Sequence, residues 1–134
     1  MRAALLAVLF GCGHPIPAPR AEAPKSVQLN KPGEPVELEP ALASGYVTVV
    51  DFWSESCGAC TIVGGMLAVQ VAYAPDVLIR KIDVGDGFTA VAKQFKIGAL
   101  PHYNVYDKAR RLRYVLVGND CLKAPEIAKQ LAAE

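Results

Sequence analysis

Cys57 and Cys60 are the residues best placed to do chemistry: two thiols two residues apart in SESCGAC, directly after the apolar run VVDFW. Cys-x-x-Cys serves three chemistries: a redox disulfide, half of a zinc site, or attachment of a c-type haem. Haem attachment needs histidine immediately after the second cysteine, and that residue is Thr61. A closed zinc site needs four ligands, commonly from two such pairs. Beyond this pair the cysteines and histidines are Cys12, Cys121, His14 and His102, which make no second Cys-x-x-Cys; that argues against a closed zinc site and leaves a partial metal site open. A static structural disulfide is poorly motivated as well, because a bridge between near neighbours constrains the unfolded chain very little.

The redox reading has a positive argument. A strand feeding a helix places Cys57 at the helix N-terminus, where unpaired N–H groups and the macrodipole favour a thiolate. Cys60, three residues on, lies on the same helical face and within disulfide reach. Gly58 carries no side chain, so another protein can approach Cys57 closely. The pair is then an exposed attacking thiolate with a resolving thiol one turn behind it.

The elements that must hold this pair can be read along the chain. Tyr46 to Trp53 (YVTVVDFW) is β-branched, aromatic and nearly continuously apolar, which predicts a strand buried on both faces. Cys57 to Ala74 reads as a helix stopped by Pro75, with Gly64-Gly65 weakening or bending it. Val77 to Val84 is a second strand and Phe88 to Phe95 a short helix. His102 to Asp107 and Leu112 to Val117 form a hairpin about DKAR, and Glu126 to Ala133 is an amphipathic helix with Ile127 and Leu131 spaced i, i+4. Val27 to Leu29 reads as a short edge strand and Pro40 to Ser44 as a short helix ended by Gly45. The order implies an α/β domain over residues 27–134, with a central mixed sheet and helices on both faces.

Upstream the composition changes. Arg2 precedes AALLAVLF, eight apolar residues, then Gly11 and Cys12; a membrane span needs ~20. A basic start, a short apolar core and a small residue before a cut fit an export signal over residues 1–12. Leu9-Phe10-Gly11-Cys12 resembles the bacterial lipoprotein signal, in which Cys12 would be lipidated. Residues 13–26 carry prolines at 15, 17, 19 and 24 and read as a Pro/Ala-rich tether. An exported, periplasmic-side domain anchored through Cys12 would work in an oxidising compartment. The 134 residues suffice for one core, and the balance of 52% hydrophobic, 20% charged and net +1 is globular. No broad basic surface for nucleic acid is in view; the longest basic cluster is the short ARRLR run.

Taken together, VVDFWSESCGAC resembles the active-site segment of the thioredoxin family, and the similarity runs from about Tyr46 to the C-terminus. The resemblance implies a thioredoxin-like fold and thiol–disulfide exchange on protein substrates, by a monomer needing no metal or organic cofactor. It implies that Asp51 is the buried aspartate that moves a proton to and from Cys60, and that Lys81 on the neighbouring strand pairs with it. It implies that Leu100-Pro101 is a cis-proline loop which, with Gly118, Trp53, Gly58 and Ala59, receives the substrate chain. An exported member would also need a membrane redox partner. Departures from the family pattern fall around Cys57: Ser56 for tryptophan, Ala59 for proline, Gly65 for a helix-kinking proline, and His102 for the threonine common after the cis-proline. A histidinium at 102 would stabilise the Cys57 thiolate and make the pair more oxidising. Cys121 reads as a small buried filler. A second class stays open: a lipoprotein holding Cu(I) through Cys57, Cys60 and His102, in which Asp51 and Lys81 would have no role.

Overall fold

Seven residues, Val47–Trp53, form the strand that everything else is built around (β2), and all but Trp53 are buried. The computed structural model describes residues 19–134; the leader, Cys12, His14 and the first part of the tether lie outside the described residues. Around β2 the elements are β1 (Ser26–Gln28), α1 (Gly58–Val71), β3 (Val77–Asp83), α2 (Ala90–Gln94), β4 (His102–Tyr106), β5 (Leu112–Val117) and α3 (Ala124–Ala133). The sheet order is β1-β3-β2-β4-β5. β1 and β2 run parallel to β3, while β4 is antiparallel to β2 and β5 to β4. The sheet is therefore mixed, as the α/β reading requires.

Because side chains alternate across a strand, β2 feeds two cores. Val47 and Val49 join Tyr103, Val105, Leu67, Val71, Ala124, Ala128 and Leu131 under α1 and α3. Val50 and Phe52 join Ile82, Val84, Val91 and Ala92 on the α2 side. Asp51 shares the parity of Val47 and Val49, so the pattern aims its carboxyl at α1. That is what brings it behind the cysteines.

Element ends differ from expectation for local reasons. The helix expected over 40–44 is a single 3-10 turn, Glu39–Ala41, with a proline in its first positions. α1 runs unbroken through Gly64-Gly65 but ends at Val71, leaving Tyr73 almost fully exposed before Pro75. α2 starts after Thr89, whose side chain accepts from the Ala92 N–H, so Phe88 stays outside as an exposed side chain. A 3-10 turn over Gly118–Lys123, not foreseen, leads directly into α3, which begins at Ala124 with Pro125 in its first turn. The DKAR hairpin turn is held by Asp107, which accepts from the Ala109 and Arg111 N–H groups and from the Arg111 and Arg113 guanidinia. Among the described residues, no helix is long and apolar enough to cross a membrane.

Candidate active site

β2 ends at Trp53, and a tight turn through Ser54–Ser56 delivers Cys57 to the N-cap of α1. The Cys57 N–H donates to the Ser54 carbonyl at 3.1 Å, and the Cys60 N–H donates to Cys57 Sγ at 3.1 Å. The sulfur thus sits where the first helix amides point, the position that stabilises a thiolate once the bridge opens. Cys57 and Cys60 are joined in a disulfide with their Cα atoms 5.3 Å apart. Cys57 is partly exposed, whereas Cys60 keeps only 3% of its surface. One sulfur faces outward and the other inward.

The rim around Cys57 is open. Gly58 and Ala59 are exposed, and a β-carbon at Gly58 would meet nothing within 4 Å. The Leu100–Pro101 peptide bond is cis, and the Pro101 carbonyl accepts from the Gly118 N–H at 2.9 Å. Gly118 has φ +60°, a left-handed conformation that favours glycine. The two segments that the sequence resemblance places beside the substrate are therefore tied into one ledge. A cleft of about 350 Å³ runs between Ser56, Cys57, Asp86, Gly98 and Leu100, with Ser56 Oγ donating to Asp86 Oδ1 at 2.7 Å.

Behind the disulfide lies Asp51, 2% exposed. Burial raises its pKa to about 6, partly countered by the positive charge of Lys81. Asp51 and Cys60 line one cavity of about 320 Å³, together with Trp53, Gly64 and Lys81. Such a space is large enough and polar enough to admit water that could carry a proton between carboxylate and thiol. Lys81 departs from the expected pairing: it is the ladder neighbour of Asp51 but forms no ion pair with it. Its Nζ lies 4.7 Å from the centre of the Trp53 ring, and it acts on Asp51 through space. Trp53 in turn donates from Nε1 to Gln28 Oε1 at 3.1 Å. The ring is anchored on both sides, forming a wall beside Cys60.

His102 corrects the sequence expectation. Alternation along β4 sends it with Asn104 to the face opposite Tyr103. Its Nε2 is 2.9 Å from Asn104 Oδ1, and its ring stands edge-on to Phe52 with centroids 5.4 Å apart. Burial lowers its pKa, only partly offset by Asn104, so the ring is neutral at pH 7 and is not a histidinium beside Cys57. Among the described residues no three His, Cys, Asp or Glu side chains gather as metal ligands. The three-ligand copper arrangement with His102 is thus not assembled.

Cys121 is buried, its thiol donating to the Leu116 carbonyl at 3.3 Å. Burial pushes its pKa up to about 12, so it stays an inert thiol. Two residues near the site escaped the sequence reading. Gly64 lies over Asp51, where an added β-carbon would come within 3.3 Å of Oδ2, and the buried Tyr103 is the ladder partner of Asp51 on β4. The Gly64-Gly65 pair inside a helix was the only visible signal.

An accessible N-cap thiol, a buried resolving thiol, an acid behind it and a cis-proline ledge define a thiol–disulfide oxidoreductase on a thioredoxin-like sheet. The thioredoxin family model matches residues 36–132, and the chain belongs to the thioredoxin family. A thioredoxin of Mycoplasma pneumoniae is 32% identical over 74 residues, 55% of this chain and 72% of that protein. Thioredoxin H1 of Arabidopsis thaliana is 30% identical over 96 residues, 72% of this chain and 83% of its own. The crystal structure of reduced Schistosoma mansoni thioredoxin pre-protein superposes with a TM-score of 0.63 at 24% identity, covering 81% of this chain and 99% of that one.

Proposed function

We propose that this protein is an exported, membrane-tethered thiol–disulfide oxidoreductase acting on protein disulfides from the periplasmic side. The observation that carries the chemistry is the division of labour between the two sulfurs: Cys57 faces the docking ledge, while the buried Cys60 shares a cavity with Asp51. An extended substrate chain lies along Leu100-Pro101 and Gly118. The Cys57 thiolate attacks one substrate sulfur, and the other substrate sulfur leaves as a thiolate that takes up a proton. Cys60 then gives its proton to the Asp51 carboxylate and attacks Cys57, which releases the second substrate sulfur and closes the Cys57–Cys60 bridge. Two electrons pass to the substrate, and the reverse sequence oxidises a dithiol. A membrane redox partner would reset the pair.

The tethering rests on the N-terminal sequence: the basic start, the eight-residue apolar run and Cys12. Titration of the purified domain in glutathione buffers, with alkylation and mass analysis of the peptide containing Cys57 and Cys60, tests the chemistry. A single reversible two-electron transition is expected, and its midpoint fixes the favoured direction. No transition would overturn the assignment. For the anchor, the full-length chain should fractionate with membranes and Cys12→Ala should release it; a soluble wild-type protein would refute the tether.

A further inference from the structure

Exchange at the two cysteines uses Asp51 but leaves a neighbouring group unexplained. Tyr103 is completely buried on β4, on the α1 side of the sheet, directly across the ladder from Asp51. Neither its hydroxyl nor Asp51 Oδ1 meets a hydrogen-bonding partner among the described residues. Buried polar atoms without partners are rare in folded proteins, and two side by side point to a shared contact. The Asp51 carboxylate, through its other oxygen, and the Tyr103 hydroxyl both flank Gly64. A β-carbon there would lie 3.3 Å from Asp51 Oδ2 and 3.9 Å from the Tyr103 oxygen. The bare helix residue therefore puts no side chain against either group, next to the cavity that Asp51 and Gly64 share with Cys60. A site flanked by a carboxylate and a hydroxyl has the polar partners an internal water needs.

We propose that Tyr103 is a positioning residue of the redox site: its hydroxyl hydrogen-bonds the Asp51 carboxylate through one internal water under Gly64 and holds it ionised to receive the Cys60 proton. This rests on the proton transfer assigned above to Asp51 and Cys60. The groups facing Asp51 are Cys60 from α1, Lys81 from β3, Tyr103 from β4 and Cys121 from the 3-10 turn, while α3 contributes apolar side chains to this layer: Ala124, Ala128 and Leu131, with Ile127 and Ala132 packed against them. Lys81 supplies charge from the cavity lining on β3, and Tyr103 supplies a donor from β4 on the other side of Asp51. Tyr103 keeps its own proton throughout, because burial first, and then the Asp51 charge and Cys121, raise its pKa far above physiological pH. The proton that leaves Cys60 ends on the Asp51 carboxyl, and the tyrosine hydrogen bond only shifts the pH at which it does so.

The test follows the Asp51 carboxyl directly, by ¹³C NMR titration of the oxidised protein, beside the pH dependence of mixed-disulfide resolution. Tyr103→Phe should move the Asp51 midpoint up by about one pH unit, since a donor to the charged form is lost. Resolution should slow several-fold on the acidic limb and keep its alkaline plateau. Gly64→Ala, which puts a methyl in the water's place and keeps the tyrosine, should move the midpoint the same way and carries the test should Tyr103→Phe fold poorly. An unmoved Asp51 midpoint in both variants overturns the proposal. So does a kinetic effect of Tyr103→Phe that persists undiminished in an Asp51→Asn background. The NMR readout needs no turnover: a protein inert in glutathione whose Asp51 midpoint still shifts would refute the redox assignment and uphold this contact.

Discussion

Asp51 shows how one residue can be poorly placed for stability and well placed for chemistry. Its carboxyl has a pKa raised to about 6, chiefly by burial and despite Lys81; the unfolded value is 3.8. A group whose folded value is the higher one stabilises the fold when protonated, and that benefit is lost as pH rises through the folded value. Asp51→Asn is therefore expected to stabilise the protein by about 3 kcal/mol at pH 8, from ~2 units at 1.36 kcal/mol each. The gain should shrink as pH falls below about 6 and vanish by about pH 3, below both values, where both states carry the proton. Urea unfolding at the two pH values checks this, and the same variant should slow resolution of the mixed disulfide at neutral pH. His102 gives the contrasting case. Because burial keeps it neutral and turned toward Asn104 and Phe52, His102→Ala should leave the Cys57 pKa unchanged at pH 7 and above. Alkylation rate against pH measures it, and a raised Cys57 pKa would place an imidazolium beside the thiolate after all. The cysteine pair and Asp51 were legible in VVDFWSESCGAC because they are tied to one strand–helix junction. The orientation of His102 was not, since it depends on β4's alternation relative to β2 rather than on sequence neighbours.

Within α1, two adjacent glycines have opposite surroundings. Gly65 is exposed and an added β-carbon meets nothing within 4 Å, whereas at Gly64 it would press on Asp51. Alanine is favoured over glycine in a helix by about 1 kcal/mol. Gly65→Ala should yield close to that full gain in denaturant unfolding. Gly64→Ala should fall short of it, because a 3.3 Å approach forces the carboxylate to shift. Equal gains would mean that Gly64 has no spatial role. A glycine pair in a helix reads from sequence only as a weak point; which of the two faces the sheet is set by α1's rotation over β2. The same limit explains the 3-10 turn at Gly118–Lys123, whose residues GNDCLK carry no helical periodicity and are held by the Pro101 carbonyl and the burial of Cys121. The strands, in contrast, were legible because apolar runs rich in β-branched residues, such as TVV and VLI, leave few other options.

At the scale of the whole molecule, contacts with the domain begin several residues before β1. The Arg20 guanidinium lies 3.9 Å above the Tyr46 ring, donates to the Gly45 carbonyl and pairs with Asp76. Tyr46 donates its hydroxyl to the Ala21 carbonyl at 3.0 Å, and Lys25 donates to the carbonyls of Ala74 and Val77. The contact of most consequence is on Arg80, 4% exposed and without a carboxylate partner among the described residues. Its guanidinium is satisfied by backbone carbonyls alone: Ala41, Ile79 and, from the N-terminal segment, Pro24 at 3.0 Å. In RKIDV, Arg80 and Lys81 look alike, yet alternation on β3 buries one and leaves the other at the cavity mouth. A chain starting at residue 26 removes the Arg20, Ala21 and Lys25 contacts and the Pro24 acceptor of a buried cation, the last a loss on the order of 1.5–3 kcal/mol for a hydrogen bond to a charged group. Compared with a chain starting at residue 19, it should melt lower by roughly 5–10 °C in a domain of this size. The glutathione midpoint should stay the same, because the segment lies at the opposite end of β2 from Cys57. Equal melting temperatures would show that water replaces the contacts of residues 19–25, Pro24 at Arg80 included, without loss; a shifted midpoint would show that the N-terminal strap reaches the redox site through the sheet.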